Sequence, residues 1–201
     1  WTTVLNGFNL SLPNKAGALD LVVSNLTGTS LVWTGAVSGT WDAATANWTG
    51  DASTFNNGVH QVTFDNSSSA TAVTVSGSVS PLQMTVNNDS AHNYWFTGGS
   101  ITSNGALIKQ GTGTLTLANA AQFSGGATLS GGTLQIGNGG ANGSFVGDIR
   151  NAGSVVFNRS DALTYSGVIS GSGGVRQAGT GTLTLAGANT YTGATTAASG
   201  T

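Results

Sequence analysis

The chain of 201 residues carries a formal net charge of −2, and only 6% of its residues are charged. A charge field this weak, with no basic excess, argues against binding to nucleic acid or to an anionic membrane surface. The sequence contains no cysteine, which excludes disulfides, thiolate-bound zinc and a thiol nucleophile. It has 32 glycines and no glutamate, and its many Thr, Val and aromatic residues favour strands over helices. We therefore predict an all-β protein.

Residues 1–30 are predicted to contain one strand. Apolar and polar residues alternate over Ala18–Leu26, after a turn signal at Pro13 and Asn14. We interpret residues 1–30 as the end of a preceding strand unit or as a linker. No stretch of the whole chain approaches the roughly 20 apolar residues that span a bilayer, so we predict no membrane insertion by this segment.

Residues 31–98 are predicted to be an aromatic-rich β segment. Apolar and polar residues alternate over His60–Asp65, Ala72–Gly77 and Leu82–Asn88, which is the pattern of strands with one buried face. This segment also contains tryptophan at unusual density, and we place the start of the predicted solenoid here.

Three of these tryptophans, Trp33, Trp41 and Trp48, are the candidate ligand-binding residues. They are separated by eight and seven residues. Flat indole rings on a β surface can hold sugars by stacking, which predicts a carbohydrate platform. The alternative interpretation, which we favour, is that the rings belong to the core or plug the start of the solenoid.

Residues 99–201 contain an internal repeat. The heptapeptide GTGTLTL occurs at Gly111–Leu117 and again at Gly179–Leu185, and Ile101–Thr133 aligns with Ile169–Thr201 at 15 of 33 positions. Short strand-like runs separated by Gly, Asn, Ser and Ala cannot bury both faces alone, so they must stack on their neighbours. The repeat therefore predicts a β-solenoid.

The strand spacing predicts the length of one turn. Candidate strands begin at Thr114, Thr133 and Ser154, and this spacing fits a turn of three short strands and three corners, which needs about 20 residues. Alternation in TLTL then turns Leu115 and Leu117 inward. From the 68-residue offset between the two copies, we predict that Leu115 and Leu183 occupy equivalent inward positions three turns apart.

These repeats resemble a known family. The segment GTGTLTLAGANTYTGATT (Gly179–Thr196) is similar to the passenger-associated repeat of bacterial autotransporters, and the match extends to GGTLQIGNGG (Gly131–Gly140). The segment Leu31–Thr49 resembles the tryptophan-rich block that precedes such repeats. The resemblance implies a right-handed parallel β-helix in a secreted or surface-displayed protein of a bacterium with an outer membrane. It implies no catalytic residue and no cofactor.

The titratable residues predict no active site. His60 and Asp65 are five residues apart on one predicted strand, so they should face opposite sides. They therefore cannot act together as a catalytic base and the carboxylate that orients it. His92 lies near Asp89 in a polar, turn-like stretch, for which we favour a surface loop over a metal site. We therefore predict no metal site and no catalytic residue.

Two pairs of opposite charges lie two residues apart. Asp148 with Arg150, and Arg159 with Asp161, could each share one face of a strand. Such pairs are predicted to be exposed and to contribute little to stability.

We therefore expect a non-enzymatic extracellular module that acts as a stalk, an adhesin or a matrix or filament component of a large bacterial protein. The rival hypothesis is a carbohydrate-binding or polysaccharide-cleaving β-helix, which would need exposed aromatic rings or charges that converge on a groove. The second repeat copy stops at Thr201, where the equivalent Thr133 opens a strand, so we expect a segment of a longer protein. Its expected partners are further repeats or neighbouring subunits, stacked end to end, and extracellular glycans.

Overall fold

The computed structural model of the protein describes residues 2–5, 8–11, 22–23 and 29–201. Every regular element within these ranges is a strand or a turn, so they contain no helix that could cross a membrane. This confirms the all-β class. In chain order the strands are β1 (Thr2–Leu5), β2 (Phe8–Ser11), β3 (Val22–Val23), β4 (Thr29–Trp33), β5 (Thr40–Trp41), β6 (Trp48–Gly50), β7 (His60–Asp65), β8 (Ala72–Val79), β9 (Gln83–Asn87), β10 (Tyr94–Ser103), β11 (Leu107–Gln110), β12 (Thr114–Leu117), β13 (Ala120–Phe123), β14 (Ala127–Leu129), β15 (Thr133–Ile136), β16 (Ser144–Val146), β17 (Ile149–Asn151), β18 (Ser154–Phe157), β19 (Leu163–Tyr165), β20 (Ile169–Ser170), β21 (Gly174–Gln177), β22 (Leu183–Leu185) and β23 (Thr195–Ala197).

From β4 onward the chain winds into a solenoid whose turns pass through three faces. Face I contains the first halves of β8 and β10, followed by β12, β15, β18, β21 and β23. Face II contains the second halves of β8 and β10, then β13 and β16, and in later turns β19 and β22. Face III stacks β4, β7, β9, β11, β14, β17 and β20, all in parallel. The solenoid therefore has about seven turns, which confirms the predicted parallel architecture.

A separate antiparallel sheet of β1, β2 and β3 lies near the N-terminus. Of the alternating run predicted over Ala18–Leu26, only Val22–Val23 is described, and it is a strand. The remainder of that run lies outside the described residues. The division of the chain at residues 30 and 98 stays a prediction.

The TLTL segment shows why these residues form a stacked strand. Leu115 and Leu117 of β12 are fully buried and pair in register with Leu134 and Ile136 of β15, one turn later. Thr116, between them, faces outward. Leucine inside and threonine outside match the alternation of side chains along a strand. The predicted inward positions of this copy are confirmed, and so is the predicted turn length.

Glycine in the GTG segment makes room for the preceding turn. Gly111 has a φ of 70°, and a Cβ there would collide with the backbone carbonyl of Asn88. In the second copy, a Cβ on Gly179 would collide with the backbone of Arg159. Successive corners are separated by about 4.8 Å, so a side chain at these positions would force two turns apart.

The predicted register between the two repeat copies is wrong. Leu134, Val155 and Val175 follow Leu115 on successive turns of face I. Three turns from Leu115 therefore end at Val175. Leu183 lies further along the chain, on β22 of face II, and is only partly buried. One full repeat thus advances the chain by three turns and one face, and the second copy lies on the neighbouring face.

Candidate functional site

The tryptophans predicted as a sugar platform lie inside the first turns of the solenoid. Trp33, Trp41 and Trp48 are at most 4% exposed. The antiparallel pairing of β4 with β6 places Trp33 opposite Trp48, and their rings meet edge to face with centroids 5.0 Å apart. Trp41 is held instead by the parallel pairing of β5 with β8. These three rings therefore form no exposed platform, because all three are buried in the core. Their burial is what the core interpretation predicts.

Trp41 is the centre of a cluster of buried aromatic rings, which we call the aromatic plug. Its ring lies 5.4 Å from Trp48, 5.3 Å from Phe55 and 5.4 Å from Phe64, and 6.2 Å from Phe96. Most of these contacts are edge to face, which is the favoured geometry of aromatic pairs. The plug fills the interior at the start of the solenoid.

Asn47 fixes the loop that carries the plug. Its Oδ1 accepts hydrogen bonds from the backbone N–H groups of Val37 and Ser38, both at 2.9 Å. Its Nδ2 donates to the carbonyl of Thr40 at 2.7 Å and to the Ser38 hydroxyl at 3.2 Å. This fully buried amide is satisfied on both atoms, so its role is to hold the loop rather than to bind a ligand.

Two long polar side chains point into the core at equivalent repeat positions. Lys109 Nζ donates to the carbonyl of Gln110 at 2.5 Å. Gln177 Nε2, at the same position of the second copy, donates to the carbonyls of Gly179 at 3.1 Å and Gly181 at 2.8 Å. Each side chain thus donates, from inside the solenoid, to carbonyls of the GTG corner or of the residue directly before it. Sequence reasoning missed this pair, although the alignment of the two copies already matches Lys109 with Gln177.

Burial lowers the pKa of Lys109 from 10.5 to about 8. A folded-state pKa below the unfolded one means that the unfolded chain binds more protons between these values. The free energy of unfolding should therefore rise as the pH rises from about 8 to about 10.5. Below about pH 8 both states carry the charge, and the cost of burying it is fully present.

We predict that Lys109→Gln stabilises the protein at pH 7. The glutamine matches the second repeat copy and keeps a donor for the corner carbonyls, but it carries no charge. The gain should be about 1–3 kcal/mol, since one pKa unit corresponds to about 1.4 kcal/mol. Urea unfolding measured from pH 7 to pH 11 checks this result. The gain should shrink above about pH 8, and Lys109→Met, which loses the donor, should gain less than Lys109→Gln.

The predicted separation of His60 from Asp65 is confirmed. His60 is buried on the inner side of β7, whereas Asp65 is partly exposed on the outer side. His60 Nδ1 accepts a hydrogen bond from the backbone N–H of Asn56 at 2.9 Å. Burial lowers the pKa of His60, and the negative charge of Asp51 opposes this shift. His60 is therefore a buried structural residue without a carboxylate partner of its own strand.

His92 and Asp89 meet in a surface loop. His92 Nδ1 lies 2.7 Å from Asp89 Oδ1. The hydrogen bond from His92 is the main reason that the pKa of Asp89 is lowered. Asp89 Oδ2 also accepts from Asn66 Nδ2 at 3.1 Å. Over the residues that the structure describes, no group of three His, Cys, Asp or Glu side chains could hold a metal ion.

One of the two predicted ion pairs forms. Arg159 holds Asp161 through two hydrogen bonds of 2.8 and 2.7 Å, and it also donates to the carbonyl of Gly143. Asp148 instead accepts the backbone N–H of Val168 at 2.8 Å. The Arg159 pair thus ties the corner loop before β16 to the following turn.

The outer surface of face I carries an exposed indole that the sequence analysis did not single out. Trp95 is 45% exposed, whereas its neighbours Tyr94 and Phe96 are buried. Trp95 borders a surface depression of about 340 Å³ together with Gln135 and Asn138. The alternation of β10 could have revealed this residue, because two inward aromatics force the one between them outward.

Comparison with known families locates the repeats. The family described as passenger-associated-transport-repeat matches residues 107–136 and 175–201. These ranges contain both GTGTLTL segments and the strands that follow them. The resemblance to autotransporter passenger repeats is therefore confirmed, and the chain carries passenger-type repeats within a parallel β-solenoid.

One curated autotransporter protein is similar to part of this chain. The Adhesin BmaC autotransporter of Brucella suis biovar 1 (strain 1330) is 57% identical over 49 residues. The matched residues are 24% of this chain and 1% of the adhesin, so the chain covers only a small fraction of that protein. No solved structure matches the chain.

Proposed function

We propose that this chain is a non-enzymatic module of a large secreted or surface-displayed bacterial protein, in which it acts as a stalk, an adhesin or a matrix component. The observation that carries the proposal is the unbroken parallel ladder of about seven turns that contains the matched passenger repeats. The similarity to a protein named as an autotransporter adhesin supports display outside the cell.

The mechanism is mechanical. Each turn of about 20 residues adds about 4.8 Å to the length of the solenoid, the spacing of hydrogen-bonded strands. The backbone ladder and the apolar interior leave few backbone groups free for a protease. The stacked turns hold distal elements of the protein away from the cell. A chain without cysteine also forms no disulfide that would lock it before export through a pore.

The enzymatic alternative lacks support in the arrangement of charges. A polysaccharide lyase or hydrolase needs acidic or basic groups that converge on one groove. Among the described residues, the acidic side chains lie singly or pair with one neighbouring base. Lys109, the one described lysine, is buried in the core.

Surface display can be tested with antibodies raised against the purified chain. We expect them to label intact cells of the producing bacterium, and permeabilisation should add little signal. A periplasmic marker provides the control for intact outer membranes. Labelling that appears only after permeabilisation would overturn surface display.

The non-enzymatic role has its own test. Incubation with a panel of neutral and uronate polysaccharides should release neither reducing ends nor unsaturated products that absorb ultraviolet light. Turnover of any polymer would refute this part of the proposal.

We also propose that further repeats of the same chain, or a neighbouring subunit, stack on the last described turn. Leu183, Leu185 and Tyr191 are only partly buried there, whereas the inward leucines of the first repeat copy, Leu107, Leu115 and Leu117, are fully buried. Strand edges with exposed ladder groups favour such pairing. Sedimentation of the purified chain at increasing concentration should show growing oligomers. A monomer that persists at high concentration would contradict stacking between subunits.

A further inference from the structure

The depression around Trp95 points to a ligand site that is independent of the stalk role. It is lined by Asn93, Tyr94, Trp95, Thr116, Gln135 and Asn138. We propose that it binds a neutral pyranose sugar of a glycan, with the apolar C–H face of the sugar on the indole and its hydroxyls on the surrounding amides.

An exposed apolar side chain is ordinary by itself, but Trp95 is surrounded by polar side chains that could bind a sugar. Thr116 follows Trp95 on the next turn of face I, and Gln135 follows Thr116. The hydroxyl and the amide therefore lie about 5 and about 10 Å from the indole along the solenoid axis. A pyranose ring on Trp95 would present its hydroxyl edge to these groups.

The amides are held in place before any ligand arrives. Gln135 Nε2 donates to the carbonyl of Gly137 at 3.0 Å, and Asn93 Oδ1 accepts the backbone N–H of Thr114 at 2.6 Å. A fixed amide can both donate and accept, as sugar hydroxyls do. Because these side chains are already ordered, binding loses less conformational entropy.

The charge of the lining selects among sugars. No charged side chain borders the depression, and Arg176, in the same outward column, lies two turns beyond Gln135. A sialic acid or uronate carboxylate would find no partner beside Trp95. The site therefore fits a neutral hexose or N-acetylhexosamine.

A second depression of about 440 Å³ adjoins the first, and Asn138 lines both. Asn119 also lines the second depression. It is 3% exposed, and neither its Oδ1 nor its Nδ2 has a hydrogen-bond partner within the described chain. Both amide atoms are closed off from solvent, so Asn119 shapes the wall of this depression rather than contacting a ligand. Arg159 anchors this wall by its hydrogen bond to the carbonyl of Gly143. The paired depressions offer room for a saccharide longer than one ring.

The test is a glycan array that presents neutral hexose, N-acetylhexosamine, sialylated and uronate oligosaccharides to the purified chain. We expect binding to neutral oligosaccharides and an affinity loss of at least about tenfold for Trp95→Ala, the effect of losing one strong contact. Gln135→Ala should weaken binding less. Val146→Ala, which removes an apolar side chain that is 55% exposed on face II, should bind as the wild type does.

Three results would overturn the proposal. They are the absence of binding to every neutral glycan, unchanged affinity of Trp95→Ala, and binding confined to acidic glycans. Thermal melting accompanies each variant, and the outward position of Trp95 predicts an unchanged melting temperature. If Trp95→Ala has a lowered melting temperature, the affinity of Gln135→Ala is used instead. Weaker binding of neutral glycans by Gln135→Ala would support the proposal, and unchanged binding would overturn it.

Discussion

Leu117→Asp should unfold the central turns of the solenoid. Leu117 is fully buried between Phe96 on the preceding turn and Ile136 on the following one. A carboxylate there would have no partner, and burying it should cost more than about 4 kcal/mol, which is a large part of the stability of a typical domain. Urea unfolding monitored by circular dichroism measures the loss.

Thr116→Asp provides the matched control for this prediction. It introduces the same carboxylate one residue earlier, on the outer side of β12. We expect its free energy of unfolding to stay within about 0.5 kcal/mol of the wild type, as for most surface substitutions. Equal losses in the two variants would contradict the inward and outward assignment of this strand.

Trp41→Ala should give the second large effect, a loss of about 3–5 kcal/mol, as expected for a large aromatic removed from a core. The fully buried ring contacts Trp48, Phe55 and Phe64, so its removal opens a cavity that several rigid side chains cannot close. Chemical unfolding followed by tryptophan fluorescence measures the loss.

The control is Trp95→Ala, which removes the same side chain from an exposed position. We expect its unfolding midpoint to match the wild type. If Trp41→Ala instead left stability unchanged, the aromatic plug would not be the core of the first turns.

Local alternation made the strands predictable, whereas the register between the two repeat copies was not. Ala118 and Asn119 alone connect β12 to β13, but residues 137–143 connect β15 to β16. These corners differ in length, but the three turns from Leu115 to Val175 still contain 19, 21 and 20 residues. The 68-residue offset between the repeat copies is eight residues longer than these three turns. The sequence period of the repeat therefore need not equal a whole number of turns. It can place identical TLTL segments on different faces.

The candidate site was partly predictable, because alternation along a long strand determines which side chains face outward. The run of Tyr94, Trp95 and Phe96 sits in a long alternating strand, so the outward direction of Trp95 follows from its neighbours. Trp41 and Trp48 lie in strands of two and three residues. Strands this short carry no periodic signal. The direction of Trp48 comes from the antiparallel pairing of β6 with β4, and that of Trp41 from the parallel pairing of β5 with β8, which only the structure reveals.

The most direct test of the account is the spin–spin interaction between nitroxide labels on Thr164 and Thr184. Both side chains are exposed, and the two residues are register partners on β19 and β22 of face II. The natural chain has no cysteine, so Thr164→Cys and Thr184→Cys give unique labelling sites. With backbones about 4.8 Å apart, the doubly labelled protein should show a strongly broadened spectrum. A spectrum equal to the sum of the two single labels would place the second repeat copy on a different face and contradict the solenoid described above.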